Sequence, residues 1–523
     1  MWILLCSVFI FWMQTGFAML EAGTVRPKNT SNILFKNLMD VAIGAIGFWL
    51  LGYSFSFGNG RTITNNPGRD TAFIGAGNWA IRNFSECSCS YHLWFFQWAF
   101  SGAATTIVSG SVAERCRLET YFMYSLFISI FVYPVVVHWV WSPMGFLSAS
   151  YTDENGNRWL KQNGMLDYAG SAVVHTVGGF AGLIGAVALG PRKSFESGEG
   201  RKSPNELLCA LGVSILWMGW YGFNCGSTLG AGANGGASIA LASKIAVVTT
   251  ISASSATVTS ILVSYIQFDH YSLAYCLNNV LAGLVAITAP CAVVEPWAAM
   301  CIGIIACGIY SGVSALLKKM GIDDPVDAFP VHGACGVWGT IAVGIFATRE
   351  NIKRAYGFDN DAMRSGNQLR NQVIGILIII TWTIVTSSTL FFPLKWAGLL
   401  RVSAEQEAIG LDAAEHGIEA RKKYPRSNRR IGSLPSRQSA YGTPSPGRSK
   451  DEKSKSRRTA SSSEMKPARP ASRKHQQLFT PSRNHRHMYT QSSSLNSITA
   501  TRKKSLWGTA RSPLSETNSP AAL

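Results

Sequence analysis

The nine residues Asp167–His175, DYAGSAVVH, decide the reading of this chain, because they return as Asp324–His332, DPVDAFPVH. In each copy an Asp stands eight residues ahead of the His of a Val-His pair, and a glycine follows seven residues after the histidine, at Gly182 and Gly339. Each copy opens a long apolar stretch. Glycines crowd both stretches (Gly178, Gly179 and Gly185; Gly333, Gly336 and Gly344), and glycine lets transmembrane backbones approach closely.

Outward from these two copies, apolar segments fall near 2–20, 38–58, 92–113, 120–142, 168–190, 206–226, 239–266, 273–290, 292–317, 328–347 and 372–399. A bilayer core takes roughly 20 mostly apolar residues per helix. The reading is an all-α membrane protein of eleven transmembrane helices. Five spans separate the two copies, and an odd number inverts the second half. That is the inverted five-helix repeat of many transporters, with the conducting site between the halves. A chance recurrence of Asp-x7-His is the alternative, and the match in both position and flanks weighs against it.

The formal charge of +18 sits almost entirely at one end. From Arg421 onward lie 23 of the 47 Lys and Arg but only 4 of the 29 Asp and Glu. Three parts follow: a transmembrane domain over 1–400, a cytosolic segment over 401–420, and a disordered Ser/Arg/Lys-rich tail over 421–523. The basic tail puts the C-terminus inside by the positive-inside rule, and an odd number of spans then puts the N-terminus outside. A basic tail beside an anionic leaflet points to lipid headgroups rather than nucleic acid. Ser433 in RRIGS and Thr459 in RRT are candidate kinase sites, where phosphate would lower the tail's charge.

Residues 2–20 lack the basic n-region and cleavage site of a signal peptide and read as a first helix. They begin directly at Met1, which suggests a shortened form. Asn83, in the sequon Asn83-Phe84-Ser85, falls outside as a glycosylation candidate. Cys87 and Cys89 beside it are candidates for a disulfide with no assigned partner. Most other cysteines lie in apolar stretches, as small hydrophobes do.

His175 and His332 lie well inside apolar helices, where polar groups are costly and mark function by default. Two structural histidines bonded to backbone carbonyls are the bland alternative. At repeat-related positions, however, the pair falls near one depth and can face each other. An imidazole donates or accepts at either nitrogen and titrates near neutrality, so the pair could pass a proton or bond a small polar solute. Too few other ligand-type residues lie nearby for a metal site, and no cofactor or nucleophile motif accompanies the histidines, which disfavours an enzyme. Asp167 stands at the N-cap position of its span, where a carboxylate serves the free backbone N–H groups and the helix dipole. Asp324 and Asp327 stand in the corresponding place before the second copy.

Aromatics form a second theme. Trp141 ends the fourth span, Phe100 lies in the third, and Trp220 and Phe223 end the sixth with Asn224 and Ser227 interleaved. Any one could be an interfacial belt residue. An aromatic face with a hydroxyl acceptor also suits a small cation.

These residues resemble the ammonium transporter family, which takes in ammonium transporters, methylammonium permeases and Rhesus proteins. The resemblance rests on Asp167–Arg192, on FWMQTGFAMLEAG at 11–23, on DDPVDAFPVHG at 323–333 and on GLDAAEHG at 410–417, and it is nearer the ammonium transporter branch. It covers about residues 1–420. It implies a homotrimer with one pore per subunit, multi-pass in the plasma membrane, carrying ammonium or ammonia and methylammonium. It further implies a recruitment site at Trp141, Phe100 and Ser227, a gate of Phe100 and Phe223, twin pore histidines at His175 and His332 beside Trp220, and an acidic residue at Asp167. The basic tail has no counterpart in the family pattern. An ammonium sensor acting through that tail is the alternative function.

Overall fold

The computed structural model describes residues 1–58, 72–82, 84, 90–150, 159–160, 164–196, 204–229, 236–357 and 366–418. Asn83, Cys87, Cys89, Ser433, Thr459 and the tail from 421 lie outside them. The described residues are helical and form no sheet; isolated bridges join Cys116 to Arg401 and Ser148 to Met165.

The long helices run in the order α1 Trp2–Thr24, α2 Pro27–Phe57, α3 Ser90–Val112, α4 Leu118–Trp141, α5 Ser171–Leu189, α6 Glu206–Gly226, α7 Gly236–Phe268, α8 Leu273–Thr288, α9 Pro296–Lys319, α10 Phe329–Phe346 and α11 Asn367–Trp396. Among the described residues, nine helices are long and apolar enough to cross a membrane: all of these but α3 and α8, with α7 counted from Ile239. Leu273–Thr288 is apolar but shorter. Two short helices follow, α12 Ala404–Ile409 and α13 Leu411–His416.

Two helices begin five or more residues before the apolar windows that announced them. The second was expected from 38 and starts at Pro27; the last was expected from 372 and starts at Asn367. The early stretches, and the first turn of each expected span after them, carry polar side chains that are buried and bonded, which a hydropathy window discounts. On α2, Lys36 donates to the carbonyl of Cys116 at 2.8 Å, Asn37 donates to Glu21 at 2.7 Å, and Asp40 accepts from the Tyr121 hydroxyl at 2.6 Å. On α11, Gln372 donates to the carbonyls of Leu166 and Thr340 and accepts from the Leu166 N–H. A buried polar group with a partner avoids the full desolvation cost. The ninth helix starts at Pro296 rather than 292, with proline at its first turn where no N–H is needed.

Among the described residues four helices contain π turns, and two of these open α5 and α10 at Ser171–Thr176 and Phe329–Ala334. Each of the two carries one of the histidines. Single π turns inside helices concentrate at functional sites. α5 and α10 touch backbone to backbone, so that a Cβ on Gly179 would collide with the main chain of Gly333. No flexible side chain lies there to yield, so glycine is required by the approach itself.

One end of the bundle is closed by an ionic knot. Arg192 pairs with Asp323 and with Glu114 at 2.7 Å each, and Arg26 reaches Glu114 at 3.1 Å. Burial opposes the charged form of Glu114, but Arg192 and Arg26 outweigh it and hold its carboxyl down at about 2. The segment 400–416 lies across this end like a strap. Lys28 donates to the carbonyls of Glu407 and Ala408, Asp412 accepts the backbone N–H groups of Ser31 and Asn32, and Asn29 accepts that of Leu411. Ser403 and Gln406 start α12 with a reciprocal capping box.

Candidate functional site

At the end of the bundle away from the strap, a cavity of about 220 Å³ is lined by Phe100, Trp141, Asp167 and Ser227, with Gln97 and Tyr168 beside them. Trp141 is the last residue of α4 and is fixed there by its indole N–H, which donates to the Asp167 carbonyl at 2.7 Å. Gly170 lies against the same ring at φ +112, a conformation and a fit that exclude other side chains. Ser227 donates its hydroxyl to the Phe223 carbonyl at 2.9 Å, leaving its oxygen lone pairs as acceptors at the cavity wall. Asn224, its neighbour at helical spacing, turns away and donates to Thr249 at 2.9 Å.

From this cavity a column of rings runs inward. Phe100 meets Trp141 edge-on with centroids 5.6 Å apart. Phe100 and Phe223 stack at 4.1 Å, the closest ring pair of the column. Phe223 stacks on His175 at 5.5 Å, and Trp220 stacks on the same imidazole at 5.1 Å. Trp220 is anchored by its N–H, which donates to Thr288 at 2.9 Å. His175 and His332 lie 5.2 Å apart between ring centres, with their Nδ1 atoms 3.1 Å apart. Both histidines are buried, and Nε2 of His175 has no hydrogen-bond partner among the described residues. Beyond His332 a void of about 10 Å³ follows, and then a second cavity of about 280 Å³ at the strap end.

Asp167 serves the head of α5, but from a different place than its sequence position suggested. The N-cap residue is Gly170, three residues on, and has no side chain. The Asp167 carboxylate folds back to accept four backbone N–H groups, from Gly170, Ser171, Ala172 and Val173, at 2.8–2.9 Å. Burial pushes its carboxyl up to about 6, against the pull of those four donors. Asp324 accepts the Phe329 N–H at the head of α10 at 2.7 Å. Burial, reinforced by the nearby Asp327, pushes it up to about 6 as well. Asp327 does not cap. It sits at φ +56 and accepts from Tyr310 and Ser314 at 3.0 Å.

The structure thus brings Trp141, Phe100, Ser227, Phe223, Trp220, His175 and His332 into one column, with Asp167 at its head. Sequence reasoning gave no role to Gln97, Thr288 or Glu21. Gln97 was legible as the residue one turn before Phe100. Thr288 and Glu21 are recognisable only from what lies across from them.

Residues 1–421 match the model of the Ammonium Transporter Family. A relative, ammonium transporter 1 member 3 of Solanum lycopersicum, is 38% identical over 435 residues, 80% of this chain and 91% of the relative. Among solved structures, one described as a sensor Amt protein is 31% identical, with a TM-score of 0.69 covering 79% of this chain and 97% of its own. Mep2 of Saccharomyces cerevisiae is 26% identical, with a TM-score of 0.67 over 77% of this chain and 87% of its own.

Proposed function

The chain belongs to the ammonium transporter family, a family of transporters and not of enzymes, and on that premise we propose that it carries ammonium or ammonia through the ring column. It is a multi-pass membrane protein, and in our reading it sits in the plasma membrane. The observation that carries the proposal is the unbroken succession from an aromatic cavity through a stacked phenyl pair to two buried imidazoles in contact.

Ammonium enters the cavity, where the faces of Trp141 and Phe100 and the Ser227 oxygen replace part of its hydration. Potassium has similar size and charge, so shape cannot tell the two apart. Ammonium can give up a proton and potassium cannot. Phe100 and Phe223 close the way to anything hydrated, and a bare cation pays heavily in an apolar path. Ammonia then passes along His175 and His332, while Trp220 walls the path. Asp167 holds the α5 head and biases the cavity toward cations.

The architecture in this reading is eleven spans over 1–400 in an inverted five-helix repeat, N-terminus outside and C-terminus inside, assembled as a homotrimer. Support comes from the two π turns, each bearing a histidine and each preceded by an aspartate that accepts backbone N–H groups. Residues 401–420 form the cytosolic segment, and the basic tail from 421 meets anionic lipid or kinases. Expression in cells lacking ammonium uptake tests the function. Growth on low ammonium and uptake of methylammonium are expected; neither, from correctly localised protein, would refute it.

A second reading, an ammonium sensor signalling through the tail, is favoured by the similarity to the sensor Amt protein. Deleting 421–523 separates the two. Lost signalling with transport intact supports a sensor; unchanged behaviour removes that reading.

A further inference from the structure

Glu21 is a carboxylate inside α1 that the column described so far does not use. It is 2% exposed, yet it lines the same small void as His332. That void, about 10 Å³, is on the scale of one water or ammonia molecule. Asn37 and Ser109 donate to Glu21 at 2.7 and 2.9 Å, and both bonds fall on Oε2. Oε1 takes no hydrogen bond among the described residues, and it lies against Gly110, where a Cβ would come within 3.4 Å of it. Leu20 and Val326 line both this void and the larger cavity at the strap end, so the void stands between the histidines and that exit.

The nearby charged groups on α2 are committed elsewhere, Lys36 to the Cys116 carbonyl and Asp40 to Tyr121. Among the described residues Glu21 therefore has no close ion pair of its own. A carboxyl group without one, in a membrane interior, is a costly feature that structure alone does not require. Hydrogen bonds to Asn37 and Ser109 could equally be accepted by a glutamine.

We propose that Glu21 is a proton-accepting group of the conduction path, returning to ammonia on the strap side the proton taken from ammonium on the cavity side. This rests on the transport reading above. Ammonium gives its proton to the imidazole pair and becomes ammonia. An N–H bond on His332 then breaks, and one water in the void takes that proton while giving another to the Glu21 carboxylate. The imidazole is left neutral and Glu21 becomes a carboxylic acid. Its O–H bond breaks as the ammonia lone pair takes the proton, leaving carboxylate and ammonium. Nothing is oxidised or reduced, and one positive charge crosses with each ammonia.

The test uses the full chain in proteoliposomes, reading labelled methylammonium flux and charge movement together. Wild type should move about one charge per substrate. Glu21→Gln keeps both Oε2 bonds but cannot carry the proton, and its charge per substrate should fall by about tenfold or more, a drop that a positioned acid–base group readily supplies. Glu21→Asp should restore it in part. No flux in wild type would sink the transport reading itself. Flux without charge in wild type, or an unchanged ratio in Glu21→Gln, would overturn the Glu21 proposal alone. Should Glu21→Gln fail to fold, infrared difference spectra remain decisive. Ammonium should raise a protonated-carboxyl band in wild type that shifts in Ser109→Ala, which removes one donor to Oε2. A band that does not shift would overturn the proposal.

Discussion

The Nδ1 atoms of His175 and His332 lie 3.1 Å apart, so between two neutral rings one nitrogen donates and the other accepts. The two tautomers are therefore coupled, since the two Nδ1 atoms share one proton between them. Replacing either histidine by alanine should change the charge moved per methylammonium and cut turnover by about a hundredfold, the low end for a positioned acid–base group. The apparent KM, which in the proposed mechanism reflects recruitment at Trp141 and Ser227, should move far less. Steady-state uptake with simultaneous current recording checks both.

Phe223 stacks on Phe100 at 4.1 Å and on His175 at 5.5 Å, so it closes the column on both sides. Phe223→Ala should open a path for hydrated cations and raise potassium current relative to ammonium current. It should also destabilise the protein, by about 3–5 kcal/mol for a fully buried phenyl ring. Phe223→Leu, which keeps more of the volume, should show a smaller increase. Current ratios in mixed potassium and ammonium solutions distinguish the three proteins.

Burial raises the Asp167 carboxyl to about 6. As pH on the cavity side falls through 6, the group takes up a proton and the cavity loses a negative charge. Ammonium uptake should therefore drop over that interval, and Asp167→Asn should be low at every pH and flat across it. Initial rates between pH 5 and pH 8, at fixed ammonium, measure the slope.

Glu114 is held at about 2, below the ordinary 4.5, by Arg192 and Arg26 against the effect of its own burial. A carboxyl depressed in the folded state binds its proton more readily when unfolded. Its contribution is thus present above 4.5 and is lost as pH falls toward 2. That contribution is on the order of 3 kcal/mol. Glu114→Gln leaves Arg192 with half its partners, and breaking a buried pair costs about 3–5 kcal/mol. Thermal unfolding in detergent should show a lower Tm for the variant at pH 7 and a shallower loss on acidification.

Much of this was legible in the sequence because its signals were long or doubled. The two Asp-x7-His copies placed both histidines, and the apolar runs located the helices that TM-length windows detect. What the windows missed was polar. Lys36 and Asn37 fall just outside the expected second span, which took in Asp40, yet all three lie on one helix whose inner face supplies a partner for each. Asp167 was recognised as serving the α5 head, but not that Gly170 would take the cap and the carboxylate fold back over four N–H groups. π turns leave no periodicity that a reader can count, since they widen one turn and return to the same helix. Glu21 lies inside the 11–23 motif with no role legible there, because its meaning depends on His332, Asn37 and Ser109, none of which is near it in the chain.

The strap carries a consequence for biosynthesis. Lys28, Asn29, Ser31 and Asn32 find their partners in 407–412, some 380 residues later. At 5–20 residues per second, roughly 20–80 s pass between the emergence of that corner and of the segment that completes it. Until then the backbone donors of Ser31 and Asn32 lack the Asp412 carboxylate that accepts them in the folded chain. A chain that stops before residue 400 lacks every one of these partners, so the corner at 28–32 is completed only after the last long helix has been made.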